Sequence, residues 1–402
     1  MREGRRLEWV VVLRGAAALW VFAFHIWLAL GGLAVRFGLP FDFSFGLRSL
    51  FRAGYQGVDL FFVLSGFVIA WPFVAAREIR LDRYQVADFY QRRLLRIAPI
   101  YYVTIAVATV LMSAGLLRGT VDGWSIAAHL AFAQNFVPEW VASIRGVYWT
   151  LPTEMHFYLL FPLLLRFVDV DRPLRLAFLM IAAAIAYRWL LVWLGTRHGV
   201  WLTWTAAYLP GRIDQFGCGI AAACVVATAR PEGKTVRAST VVLAGLLAVA
   251  CLMLIGRNAT TQLDFWFIAG PSIAGAGIAF FIAALGIYSN ARPDASPARG
   301  SRTARLFHLL GDASLSIYLW HTFFIDLALL ATLRFALDNT AKVALVIATV
   351  PVAILTSVVT YRLIEAPMIA LSKSPAWRSR VRHFVDHVFM LPGRRASRRE
   401  SD

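Results

Sequence analysis

The chain has 402 residues, of which 59% are hydrophobic and only 16% charged, and its mean hydropathy is positive. A soluble protein of that length needs far more charge to cover its surface, so a soluble globular class is excluded. The formal charge of +17 does not mark a nucleic-acid binder, because the basic residues fall mostly in alternate connections between apolar runs and in the C-terminal tail, where positive-inside topology puts them.

Ten apolar runs are long enough to be membrane spans: 7–30, 55–75, 97–117, 147–168, 174–195, 212–229, 238–256, 266–288, 306–333 and 341–363. The first is too long for a signal peptide and no small-residue cleavage site ends it, so it is expected to be retained. Arg2, Arg5 and Arg6 precede it, and Arg77, Arg80, Arg83, Arg92, Arg93 and Arg96 lie between the second and third runs. Later even connections carry more Arg and Lys than odd ones, which predicts both termini in the cytoplasm. An apolar stretch at 124–137 is too short to span and is expected to be re-entrant or interfacial.

No fixed-period repeat is evident. The segment 290–304 is a polar, Pro/Ser-rich loop, and from Ser372 the chain becomes a basic tail ending GRRASRRESD, expected to be flexible against anionic lipid. The expected fold is an all-α integral membrane protein of about ten transmembrane helices in one bundle. Residues 1–371 form the membrane domain, 372–402 the basic cytoplasmic tail, and no soluble domain is appended. Cys218, Cys224 and Cys251 lie in apolar runs without CxxC spacing and read as core residues. No metal site is expected.

Ionisable residues inside a bilayer are costly and mark function or buried pairing. Arg14 and His25 sit eleven residues apart in the first run. At about 100° per residue this is about 20° past three turns, so both face one side, ~16 Å apart. An inner cation and an outer proton acceptor on one line suit a long ligand with a charged head and a reactive tail. Arg92 and Arg96, in FYQRRLLRIAP, stand at i and i+4 and would present two guanidinium groups as a phosphate clamp, or simply anchor the chain to headgroups.

An outer layer holds His25, Asp59, Glu154, His321 and Asp326, with Arg212 and Asp214 opening the sixth run. Each has a bland reading as well: interhelical hydrogen bonding for the histidines, a structural partner of an arginine for Glu154, helix bridging for Asp59. Ser65, in LSGF, reads as a packing residue. His129 and His156 have no obvious partners.

The motifs RGAAALWVFAFH, GVDLFFVLSGF, RRLLRIAPIYY, WTLPTEMHFY, SIYLWH and YRLIEAPM, in that order over about residues 7–370, together resemble the membrane acyltransferase family 3. These bacterial inner-membrane proteins O-acylate surface polysaccharides, O-antigens, Nod factors and macrolides. The resemblance implies His25 as the catalytic residue, paired with Arg14, and Arg92 and Arg96 in handling the acyl donor. It also implies Glu154 as the acidic residue of the fourth span. Thr150 stands where Ser is more usual. Many relatives also carry an extracellular hydrolase-like domain, so delivery to the acceptor by a separate protein stays open.

The expected activity is transfer of an acyl group, in the family usually acetyl, from cytoplasmic acyl-CoA to a hydroxyl of a carbohydrate-type acceptor. Arg14, Arg92 and Arg96 would hold the phosphates. His25 would act as general base, with Glu154 the preferred residue to orient it, or form an acyl-histidine intermediate. Asp59, His321, Arg212 and Asp214 are supporting polar residues. Expected partners are the lipid bilayer, a glycan or glycolipid and possible glycan-assembly proteins, with no nucleic acid. The competing class is a proton-coupled transporter or exporter using His25, Asp59, Glu154 and His321 as a relay; such folds often carry inverted repeats.

Overall fold

All ten apolar runs fold as helix, and no strand occurs among the described residues. The structure, a computed structural model, describes residues 7–31, 46–117, 119, 122–198, 207–229, 236–258, 263–291 and 301–389. Arg2, Arg5, Arg6, Arg230, Lys234, Arg292 and Arg299, and the closing GRRASRRESD, lie outside the described residues.

The helices are α1 (Glu8–Ala29), α2 (Gly46–Arg52), α3 (Gly57–Ala76), α4 (Arg83–Ser113), α5 (Gly123–Leu130), α6 (Pro138–Val141), α7 (Thr150–Leu164) and α8 (Leu174–His198). There follow α9 (Leu209–Thr228), α10 (Ala238–Asn258), α11 (Leu263–Asn290), α12 (Arg302–Asp312), α13 (Ser314–Arg334), α14 (Asn339–Thr360), α15 (Ala366–Lys373) and α16 (Pro375–Phe389). Eight helical stretches among the described residues are long and apolar enough to cross a membrane. Two of the ten expected spans are not among them. One is α7, which has only 15 residues. The other is α9, which carries Arg212 and Asp214 near its start and lies among α3, α7, α8 and α11.

Helix α9 reaches that central position because its face is small. A Cβ on Gly66 of α3 would lie 2.1 Å from the Phe216 carbonyl oxygen, and one on Gly219 would lie 2.0 Å from that of Val63. Only glycine lets these two backbones meet, the usual device for close helix packing in a bilayer. The same holds where α1 crosses α12: a Cβ on Gly311 would lie 2.1 Å from the Val11 carbonyl oxygen.

That crossing corrects the expected span at 306–333. It is two elements, α12 and α13, separated at Ala313. Helix α13 then packs against α1, α4 and α14 and brings His321 into the interior. Beyond α14, the turn Tyr361–Glu365 is π-helical. Pro367 follows it and has no N–H to continue the α-helical ladder, which accounts for the widened turn. The widening carries Glu365 into the bundle, where it is buried.

The tail also departs from expectation. Over 375–389 it is the helix α16, packed on α4: Tyr84 donates to Asp386 at 2.7 Å, and Arg378 approaches Asp88 at 3.9 Å. The short stretch at 124–137 forms α5 and a 3-10 turn, held to α4 by Gln134 Nε2, which donates to the Tyr101 hydroxyl at 2.9 Å.

Candidate active site

Helices α1 and α13 bring two histidines together. His25 Nδ1 lies 2.9 Å from the Val21 carbonyl oxygen and 3.2 Å from His321 Nε2, while His321 Nδ1 lies 3.1 Å from the Ile317 carbonyl oxygen. These contacts determine where the protons sit when both rings are neutral. A carbonyl only accepts, so His321 Nδ1 carries its proton and its Nε2 offers a lone pair. His25 Nδ1 must then be the donor, shared between Val21 and His321. His25 Nε2 is left unprotonated, which is the form a general base requires.

His25 lines two cavities. One, of about 540 Å³, is polar and aromatic, with Tyr55, Ser143, Arg145, Trp149 and Tyr318 in its wall. The other, of about 450 Å³, is mostly aliphatic. Thr322 and Asp326 border both. Asp326 pairs with Arg145 at 2.7 Å, and the Arg145 guanidinium lies over the Phe323 ring at 4.8 Å.

Arg14 lines a separate, smaller pocket. Tyr318 and Val58 line both the polar cavity and this pocket of about 40 Å³, which also contains Phe61, Thr150 and Glu154. Tyr318 is pinned there: its hydroxyl donates to the Val147 carbonyl at 2.7 Å and accepts from Thr150 Oγ1 at 3.1 Å. Thr150 thus supplies the hydroxyl for which Ser was the more usual residue.

Arg14 Nε donates to Ser314 Oγ at 3.4 Å, and its guanidinium faces the Phe61 ring. It lies within electrostatic reach of Arg96, Glu154 and Glu365. Glu154 accepts from Ser65 Oγ at 2.6 Å and from the Tyr158 hydroxyl. It makes no hydrogen bond to His25, so the expectation that Glu154 orients that ring is corrected: His321 and Val21 hold it. Ser65 is a polar partner of Glu154 as well as a packing residue.

The arginine pair is also rearranged. Arg92 is exposed and held by Asp88 at 2.7 Å. Its neighbour Arg93 turns inward over the Phe89 and Tyr158 rings, at 5.4 and 5.6 Å, and its Nε has no hydrogen-bond partner. Glu154 lies within electrostatic reach of Arg14 and of Arg93, and Arg96 lies within reach of both arginines. The cluster at this end is therefore Arg14, Arg93 and Arg96. Sequence reasoning passed over Arg93, although i and i+3 share a face as well as i and i+4 do.

Asp59, Arg212 and Asp214 are brought together, but away from His25. Arg212 Nη1 binds Asp59 at 3.0 Å, and Gln215 Nε2 donates to the same oxygen at 2.7 Å. Arg188 on α8, fully buried, donates to Asp214 at 2.9 Å, Ser272 at 2.6 Å, and the Gly211 and Ile268 carbonyls at 2.7 Å each. This network joins α3, α8, α9 and α11. It meets the polar cavity at Trp149, over which the Arg212 guanidinium lies at 5.5 Å, and at Tyr55, within electrostatic reach of Asp59 and Arg212. Arg188 was missed by sequence reasoning, although a lone arginine in an apolar run was the signal. Glu365, which accepts from Ser316, was missed as well.

An all-helical membrane bundle that sets a histidine pair beside two cavities and clusters arginines around Glu154 fits a membrane-embedded group-transfer protein. The chain belongs to the acyltransferase 3 family: the family model Acyl_transf_3, an acyltransferase domain, matches residues 7–362. It is therefore an enzyme that transfers acyl groups. Acyltransferase MdmB of Streptomyces mycarofaciens is 30% identical over 332 residues, covering 79% of this chain and 78% of that protein. Exopolysaccharide production protein ExoZ of Rhizobium meliloti is 28% identical over 340 residues, covering 79% and 90%. Peptidoglycan O-acetyltransferase OatA of Listeria monocytogenes is 26% identical over 346 residues, covering 77% of this chain and 48% of that protein. No solved structure matches the chain.

Proposed function

We propose that this enzyme O-acylates a carbohydrate-type acceptor with an acyl group drawn from cytoplasmic acyl-CoA across a bacterial inner membrane. The observation that carries the reading is His25 in the wall of a polar cavity, its Nε2 left free by the contacts of Nδ1, with Arg14, Arg93 and Arg96 clustered around Glu154. Arg14, Arg93 and Arg96 bind the phosphates of the donor, and the pantetheine arm passes between Tyr318 and Val58 to set the thioester beside His25. Guanidinium groups suit this because they bind phosphate oxygens in pairs.

At the junction His25 Nε2 takes the proton from the acceptor hydroxyl as its oxygen attacks the thioester carbonyl carbon. The carbon–sulfur bond breaks, and the imidazolium returns the proton to the leaving thiolate, giving the ester and free CoA. His321 accepts from His25 Nδ1 and keeps the ring in the reactive tautomer, a positioning task like that of the third member of a catalytic triad. The similarity to ExoZ, an exopolysaccharide production protein, and to OatA, a peptidoglycan O-acetyltransferase, supports a glycan hydroxyl as acceptor.

The charge alternation supports ten crossings with both termini cytoplasmic, which puts the arginines inside and His25 outside. The direct test is CoA release by the purified protein in nanodiscs supplied with acetyl-CoA. Release that depends on His25 supports the reading, and a protein that binds no acyl-CoA contradicts it.

A further inference from the structure

The aliphatic cavity beside His25 is not used by the chemistry described so far. It runs from His25 along the outer turns of α1 and α13, walled mainly by Leu28, Ile325, Leu329 and Leu333, with Thr332 and Lys342 also in its wall. Thr322 and Leu333, both in its wall, are eleven residues apart on one helix, so the groove extends ~16 Å beyond the reacting centre. Its volume of about 450 Å³ is many times what an acetyl group fills. It lies within the range of sites that hold whole small ligands.

The placement identifies the occupant. His25, Thr322 and Asp326 border both cavities, so the thioester carbonyl at their junction has a polar chamber on one side and an aliphatic groove on the other. A hydroxyl acceptor belongs with Arg145, Ser143 and Tyr55. What leaves the carbonyl on the opposite side is the acyl chain. We propose that this groove is the acyl-chain subsite and that the enzyme accepts straight acyl chains of several carbons in preference to acetyl. The inference rests on the acyl-CoA donor reading above.

The test is CoA release by purified protein with acetyl-, propionyl-, butyryl-, hexanoyl- and octanoyl-CoA. Burial of each added methylene is expected to raise kcat/KM by about fourfold until the groove is filled. Two variants narrow the groove from opposite helices, Ala29→Phe on α1 and Leu330→Trp on α13. Each is expected to lower the ratio of hexanoyl to acetyl turnover at least tenfold. Acetyl turnover with longer chains a hundredfold slower would overturn the subsite while leaving the donor reading intact. So would equal losses on all chain lengths in both variants, or a variant that raises only the acceptor KM, which would assign the groove to a lipid-borne acceptor. No CoA release from any donor would overturn both readings.

Discussion

His321 Nε2 stands 3.2 Å from His25 Nδ1, joining two residues 296 positions apart in the chain. With Ile317 holding the proton on the far side of His321, the ring lone pair this histidine pair leaves free is the one on His25 Nε2. The pair therefore resembles a triad's base and orienting residue, with a second imidazole in place of a carboxylate.

This relationship predicts a graded series at position 321. His321→Leu removes the acceptor for His25 Nδ1–H and is expected to lower kcat within the ~10²–10⁴-fold that general-base catalysis contributes. The KM for acyl-CoA is expected to stay within twofold or so of wild type. His321→Gln, whose side-chain oxygen can accept the same proton, is expected to recover part of the loss. Equal kcat in the Leu and Gln proteins would reduce His321 to a packing residue.

Arg93 and Arg92 are expected to separate cleanly. Arg93→Ala and Arg96→Ala each remove a charged hydrogen-bonding group from the donor's phosphates and should raise the KM for acyl-CoA by about 10-fold to 100-fold. Arg92→Ala releases an exposed pair with Asp88 and should change it little. Titration of labelled acetyl-CoA onto each protein decides the matter; a larger effect at Arg92 than at Arg93 would reverse the assignment.

The Arg188–Asp214 pair is a matter of stability. Asp214→Leu alone strands a buried guanidinium and is expected to cost about 3–5 kcal/mol. The double variant Arg188→Met, Asp214→Leu removes both charges and is expected to recover most of that. Thermal unfolding in detergent measures it, and a double variant no better than the single would show that the bonds to Ser272, Gly211 and Ile268 dominate.

Topology gives a fourth expectation. Reporter fusions after Asp402 and within 230–235 should both report cytoplasm, and a periplasmic signal at either would place the arginine cluster on the wrong side for cytoplasmic acyl-CoA.

Much of this was legible in the sequence. Apolar runs of spanning length located the long helices apart from the one broken at Ala313, and the 3.6-residue period predicted Arg14 and His25 on one face. What spacing left open was partner choice. Arg92 and Arg93 are adjacent and about 100° apart, and each shares a face with Arg96, so only the packing of Phe89 and Tyr158 decides which turns inward. Glu154 was assigned to His25 on shared depth, but Ser65 and Tyr158 claim its oxygen across α3 and within α7. The break at Ala313 was marked in the sequence by Asp312 and by Gly311 at the close crossing, but the leucines on either side led the two helices to be read as one run.

The central claim is that His25 is the base, and it is tested most directly by His25→Ala in nanodiscs, with acetyl transfer and acetyl-CoA binding measured on the same sample. The account predicts loss of transfer by at least ~10²-fold with donor affinity nearly unchanged, because the substitution removes a proton acceptor and leaves the arginines in place. Transfer close to wild type in the His25→Ala protein would contradict it.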